Sequence, residues 1–232
     1  NVARKLAHEI KNPLTPIQLI VDKLKSKFDK FLDNQNDKVD FNENLKTINK
    51  QIKQIENLVN EFSDFARMPK PIFKKNNIYK LIQENVKLMN ELDPSVEIKV
   101  VSTNYDLLLN CDSEQLNRVF INLLKNSMES INEKYDKNHD FIKKIDIEIF
   151  QKDDYIELYI TDNGLGFDIS NLKNIVKPYF TTKKNGTGLG LSIVNKVIND
   201  HNGFLSILQN SDGAKIQIKI PNNVDWNFNN RW

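Results

Sequence analysis

Five of the seven glycines fall between Gly164 and Gly190, and the first 163 residues contain none. They form two clusters, Asp162-Asn163-Gly164-Leu165-Gly166 and Gly186-Thr187-Gly188-Leu189-Gly190. Glycine is required where the backbone takes φ > 0 or lies directly against a ligand. Two such clusters around an intervening segment read as the mouth of a nucleotide pocket closed by a loop. Asp162 ends an alternating strand pattern, and its carboxylate can accept a hydrogen bond from an exocyclic amine, so it can read adenine. Gly164 and Gly166 let the backbone approach the base. The second cluster opens a helix at Leu189-Gly190-Leu191-Ser192, presenting backbone N–H groups and the positive dipole end to phosphate. Between the clusters, Lys177-Pro178-Tyr179-Phe180-Thr181-Thr182-Lys183-Lys184 mixes aromatic anchors with cations, as a mobile lid over phosphates would.

A helical pattern upstream carries Asn122, Asn126 and Glu129 at i, i+4, i+7, on a different face from its apolar stripe. Asparagine is a mediocre helix former, so two of them one turn apart are a cost. A carboxamide oxygen is a suitable hard ligand for Mg²⁺, which keeps most of its waters and bridges to phosphates. Taken alone, the pair would read as two solvated polar residues; the glycine clusters downstream reverse that preference. Near the other end lies His8-Glu9-Ile10-Lys11-Asn12-Pro13, beside a heptad stripe and not in it. Glu9 can orient or deprotonate the imidazole, making the other nitrogen a better nucleophile. Asn12 lies one turn along on nearly the same face, and Pro13 removes a helix hydrogen bond just past the site. His139 and His201 lack such surroundings. A phosphate-donor pocket and a histidine on a coiled coil together point to phosphoryl transfer to histidine.

The elements that must carry these residues divide in two. Ile10, Leu14, Ile17, Val21, Leu24, Phe28 and Phe31 step by four and three, an unbroken heptad stripe. Phe41, Leu45, Ile48, Ile52, Ile55, Val59, Phe62 and Ala66 repeat the alternation. A polar loop is expected over Asp33–Asp40, with Asp40 and Glu43 as the capping box of the second helix. This is an antiparallel hairpin whose outer side stays wet, so two copies pairing into a four-helix bundle is the expected remedy. Met68-Pro69-Lys70-Pro71 stops the second helix and marks the domain boundary. Beyond it, helices are expected over Ile78–Glu91, Asp112 to about Lys134 and Leu189–Asp200. Strands are expected over Val96–Val101, Ile145–Ile149, Ile156–Ile160, Phe204–Leu208 and Lys215–Ile220. The segment Glu133–Lys144 reads as a solvated loop. The fold class is α+β: a helical hairpin (1–70), then an α/β sandwich with helices on one face of a mixed sheet (71–222), and an unassigned tail (223–232).

The chain has 232 residues and a net charge of +2, with acids and bases interspersed. That leaves no concentrated basic patch for nucleic acid. One cysteine excludes an intramolecular disulfide framework and fits a reducing compartment. No apolar run approaches a membrane span. The chain opens at Asn1 within a helical pattern, so it is expected to be a piece of something longer, with any sensor or membrane segment upstream.

His8 to Pro13, Asn122 to Asn126, Asp162 to Gly166, Phe180 and Gly186 to Gly190 resemble, in order, the histidine, asparagine, first glycine, phenylalanine and second glycine boxes of bacterial sensor histidine kinases. The resemblance covers about residues 1 to 221. The run Ala7–Leu19, with Phe65-Ala66-Arg67-Met68-Pro69, looks most like the nitrogen-regulation NtrY branch. Ser127 and Ser130 stand where family members usually have alanine. The resemblance implies a dimerisation and phosphotransfer hairpin followed by a Bergerat-type ATP-binding domain. His8 would take the γ-phosphoryl group of MgATP and pass it to an aspartate on a response-regulator receiver domain. Asn126 would hold Mg²⁺, Asn122 would lie beside the phosphates, and Asp162 would contact the adenine amine. Phe180, Thr182, Lys183 and Gly186 to Gly190 (Thr187, Gly188 and Leu189 included) would complete the nucleotide site. Glu9 and Asn12 fit the family's phosphatase motif. The expected protein is a homodimer acting in the cytoplasm, attached to the inner membrane only through segments upstream of this chain. Two alternatives compete: a Bergerat-fold ATPase or serine kinase with no use for His8, and a silent dimeric scaffold that binds a regulator.

Overall fold

The structure, a computed structural model, describes residues 2–28, 35–66, 68–168, 174–183 and 186–222, with the side chains of 2–9, 35 and 64–66 also outside the description. The two heptad stripes form long helices, α1 (Val2–Phe28) and α2 (Gln35–Ala66). They pack through Leu14, Val21, Leu45 and Ile52, with Phe41 against that cluster. Phe28 meets Phe41 edge to face at 6.2 Å, and the Gln18 amide donates to Asn49 at 2.9 Å. A heptad stripe has two rows, and one antiparallel partner covers one of them. The other row (Ile10, Ile17, Leu24, Ile48, Ile55) stays exposed.

Helix α1 runs through Pro13 and Pro16. Helix α2 begins at Gln35, so the expected loop is helical from that residue, while 33 and 34 lie outside the described residues. The capping signal at Asp40 is bypassed because no glycine or proline interrupts 35–40, and propagating a helix costs less than starting one. Helix α2 stops at Ala66, ahead of Pro69, as expected for proline.

The α/β part runs β1 (Lys74–Asn77), α3 (Ile78–Leu92), β2 (Glu97–Ser102), β3 (Leu108–Cys111), α4 (Ser113–Lys137), β4 (Lys144–Gln151), β5 (Tyr155–Asp162), α5 (Gly190–Asp200), β6 (Phe204–Leu208) and β7 (Lys215–Pro221). Five strands form one sheet in the order β2-β4-β5-β7-β6. β2 and β4 are parallel and the other pairs antiparallel, so the sheet is mixed. Strict alternation sends Ile145, Ile147, Ile149, Ile156, Leu158, Ile160, Ile216 and Ile218 into the core. There they meet the apolar faces of the helices, Ile82 and Met89 of α3, Leu116, Phe120 and Leu124 of α4, and Val194 and Val197 of α5. This is the expected α/β sandwich.

Two differences have local causes. β1 pairs with β3 in a separate antiparallel ribbon. Its sequence, Lys-Lys-Asn-Asn, has no apolar alternation to announce it, and it forms because Leu109 and Cys111 of the partner strand are buried. Helix α4 extends to Lys137, so the expected loop over Glu133–Lys144 shrinks to 138–143. Chain contacts divide the molecule into two compact units: Asn1–Pro69 with Thr182–Leu189, and Lys70–Thr181 with the described residues from Gly190 onward.

Candidate nucleotide site

Asp162 closes β5, the central strand of the sheet, where it is 5% exposed. Its carboxylate is surrounded by donors from three elements. Ser127 of α4 donates its hydroxyl to Oδ2 at 2.7 Å. The amides of Gly164, in the following turn, and Ala214, just before β7, donate to Oδ1 at 2.9 and 3.2 Å. Burial pushes the Asp162 pKa up, and the Ser127 hydroxyl, the two amides and the Lys134 ammonium pull it back. A buried carboxylate this well supplied with donors is held as an acceptor.

Backbone approach around it leaves no room for side chains. A Cβ on Gly164 would lie 2.5 Å from Ser130 Oγ and within 2.9 Å of the α4 backbone. Gly166 takes φ 76° and Gly213 φ 74°, and a Cβ on Gly213 would collide with the Asp162 carbonyl. Asn163 locks the turn from the other side. Its Oδ1 accepts from the Lys144 amide at 2.9 Å and its Nδ2 donates to the Ile142 carbonyl at 2.7 Å. Lys134 reaches over to the Asn163 carbonyl at 2.8 Å and to Asp212 at 2.5 Å.

Further along α4, Asn122 and Asn126 are half-buried and face the start of α5. A Cβ on Gly190 would lie 3.2 Å from Asn122 Oδ1 and 3.6 Å from Asn126 Nδ2. Asn122 also donates to the Arg118 carbonyl at 2.8 Å, a bond that orients its oxygen outward from the helix turn. Helix α4 therefore links Asn122, Asn126, Asp162, Gly164 and Gly190 within the second unit, and Gly166 lies against Gly213 in the same unit. Phe180, half-buried, belongs to that unit too, its amide donating to the Lys177 carbonyl at 3.3 Å. Tyr179, before it, takes φ 67°, unusual for a bulky residue.

Thr182, Lys183, Gly186, Thr187, Gly188 and Leu189 group with the helical unit instead. Gly188 takes φ 69°, Leu189 is fully buried, and the Thr187 hydroxyl donates to Glu61 of α2. His8 and Glu9 fall within α1, but their side chains lie outside the described residues. Asn12 is exposed on the same helix.

Four participants carry no motif signal. Ser127 and Ser130 read in the sequence only as departures from alanine. Ala214 acts through its amide alone. His201 reads as a histidine without a role, yet it is 3% exposed and joins α5 to the start of α4. Its Nε2 accepts from the Asp112 amide at 3.0 Å and its Nδ1 donates to the Val197 carbonyl at 2.8 Å, which sets the tautomer. Burial pulls its pKa down. Asp112 in turn caps α4 through the Gln115 amide at 3.0 Å and holds the Ile72 amide at 2.8 Å.

Comparison with known proteins bears on the family and the fold. Residues 1–71 match the His Kinase A (phospho-acceptor) domain, and residues 111–224 match the Histidine kinase-, DNA gyrase B-, and HSP90-like ATPase family. The chain belongs to the sensor histidine kinases. It is 39% identical over 95% of its length to a putative NtrY-like sensor histidine kinase of Rickettsia conorii, covering 35% of that protein. It is 34% identical over 95% of its length to the nitrogen regulation protein NtrY of Azorhizobium caulinodans, covering 28% of it. The chain thus spans about a third of the length of the curated relatives it matches. The catalytic domain of the histidine kinase ThkA superposes with a TM-score of 0.60 at 27% identity, over 66% of this chain and 98% of that one.

Proposed function

We propose that this chain is the core of an ATP-dependent protein-histidine kinase that phosphorylates His8 and passes the phosphoryl group to an aspartate of a response-regulator receiver domain. The observation that carries the reading is the buried Asp162 carboxyl group, held by donors from Ser127, Gly164 and Ala214 beside the helix that presents Asn122 and Asn126. An acceptor in that setting suits the exocyclic amine of adenine. The half-buried carboxamides then face the region where a phosphate chain would run toward the α5 N-terminus. Residues 1–70 serve as the phosphotransfer hairpin and 71–222 as the ATP-binding domain.

Among the described residues no group of three or more His, Cys, Asp or Glu could hold a metal ion. The donor chemistry fits magnesium held mainly by phosphate and water, with the Asn126 carboxamide as its protein ligand. Bound there, the ion would neutralise phosphate charge. The chain's own groups do the rest. A His8 ring nitrogen forms the bond to the γ-phosphorus as the bond to the ADP oxygen breaks, and Glu9 receives the proton from the other ring nitrogen. Transfer to the regulator reverses the pattern: a carboxylate oxygen attacks, the N–P bond breaks and the imidazole takes back a proton.

Two chains act together in this reading, because the exposed row of the hairpin stripe matches what a second hairpin would cover. No described helix is long and apolar enough to cross a membrane, and attachment to the inner membrane would come from other parts of the protein. Incubation with γ-labelled MgATP tests the proposal. Acid-labile, base-stable label lost in His8→Ala supports it; ATP turnover without such label would replace it with an ATPase.

A further inference from the structure

Two serines one turn apart on α4 bond to the end of β5 and to the turn after it, Ser127 to Asp162 and Ser130 to the Leu165 amide. We propose that Ser127 is a positioning residue that sets the base specificity of the site, and that Ser130 fastens the turn on which Asp162 depends. The inference rests on the reading of Asp162 as the base contact. A carboxylate offers about four lone-pair positions. Among the described residues, three are taken: two on Oδ1 by the Gly164 and Ala214 amides, and one on Oδ2 by the Ser127 hydroxyl. One position on Oδ2 is left, and it suits a single donor.

A 6-amino purine brings a donor to that position. A 6-oxo purine brings an acceptor, which an ionised carboxylate repels. Ser127 sharpens this choice in two ways. Its hydroxyl fixes the rotation of the carboxylate, because it holds Oδ2 from α4 while the amides hold Oδ1 from the other side. It also donates, and a donor favours the ionised form in a buried place where neutralisation is the alternative. Without the hydroxyl, the carboxyl group can turn and take up a proton, and a protonated carboxyl donates to a 6-oxo group. Ser130 acts on the backbone. Its Oγ accepts from the Leu165 amide at 2.9 Å, and the close approach of Gly164 to the same oxygen shows that turn and helix touch there.

The experiment uses the whole chain and measures binding of MgATP and of magnesium inosine triphosphate by calorimetry. Ser127→Ala is expected to lower the preference for ATP over inosine triphosphate by about fivefold or more, the scale of one ordinary net hydrogen bond. Ser127→Thr, which keeps the hydroxyl, should restore the preference. Ser127→Val, which matches threonine in size without it, should not, and this pair decides the matter if the alanine variant folds poorly. Ser130→Ala should weaken both nucleotides alike by severalfold and leave their ratio intact. An unchanged ratio in both Ser127→Ala and Ser127→Val would overturn the role of Ser127, provided that Asp162→Asn still loses ATP. If Asp162→Asn binds ATP as well as the parent chain, the reading of the site itself fails, so the two failures are told apart.

Discussion

The two units differ in how completely they bury their apolar residues. In the α/β unit Ile78, Leu107, Leu116, Val119 and Ile131 are fully buried, and the sheet's inner face is sealed by three helices. In the hairpin Leu14, Val21, Leu45, Ile52 and Val59 are buried, while Ile10, Ile17, Ile48 and Ile55 each remain just over 40% exposed. A closed core can fold by itself; the open stripe is the row that the proposed second hairpin would cover. The contrast bears on the proposed tasks as well: the proposed base contact Asp162 with Asn122 and Asn126 lies in the closed unit, while the proposed acceptor and Thr182–Leu189 group with the open one.

His8→Ala tests that division hardest. It should abolish acid-labile phosphorylation while leaving ATP affinity within about twofold, since the base pocket belongs to the other unit. Acid-labile label persisting on this variant would remove the acceptor assignment. The hairpin itself can be taken apart in two steps. Ile52→Lys places an unpaired charge in the buried row at a cost of several kcal/mol, so both helicity and association should be lost. Ile55→Lys touches only the exposed row, so circular dichroism should keep its helical signal while light scattering reports a monomer. A stable dimer carrying Ile55→Lys would contradict the bundle.

Smaller effects sharpen the same contrast. Asp162→Ala should weaken ATP binding at least tenfold, from the loss of about 1.5–3 kcal/mol for a hydrogen bond to a charged group. It should leave the hairpin's association untouched. On the open unit, if Asn12 acts as the phosphatase motif implies, its carboxamide holds the water that attacks the regulator's phosphoryl group. Asn12→Ala should then keep autophosphorylation within severalfold yet slow decay of the regulator's label about tenfold, because such positioning is largely entropic. Parallel loss of both rates would assign Asn12 a helical role only. The smallest effect is a pH dependence confined to the closed unit. His201 is neutral when folded and its pKa is lowered by burial, so the unfolded chain binds the proton first. Stability should hold above about pH 6.5 and fall as pH drops below it, and His201→Gln should flatten that slope in thermal melts.

Much of the fold was legible because its signals are periodic. The heptads announce α1 and α2, and the alternating isoleucines of β4, β5 and β7 announce the sheet. β1 was not legible, because Lys74–Asn77 is polar throughout and becomes a strand only through its pairing with β3. The start of α2 was misplaced because a capping box permits a helix to begin without requiring it to begin there. At the site, Asp162 and the glycines stood out because the first 163 residues hold no glycine and five of the seven then gather in two short runs, the first opening at Asp162. Ser127 and Ser130 did not stand out, because each hydroxyl's partner lies 35 residues away and is set by tertiary register. The same holds for His201, whose partner amide is 89 residues distant.

That histidine has a consequence for labelling chemistry. A ring nitrogen can attack an electrophile only with an unshared pair, and the one such pair on His201 is spent on the Asp112 amide. Its other nitrogen carries the proton given to Val197. The chain has three histidines, and His139 sits exposed with its ring against Tyr135 at 5.0 Å. The interior imidazole is thereby withdrawn from competition, so a histidine-directed acylating reagent applied to the folded protein should modify at most two sites, and a third should open only on unfolding.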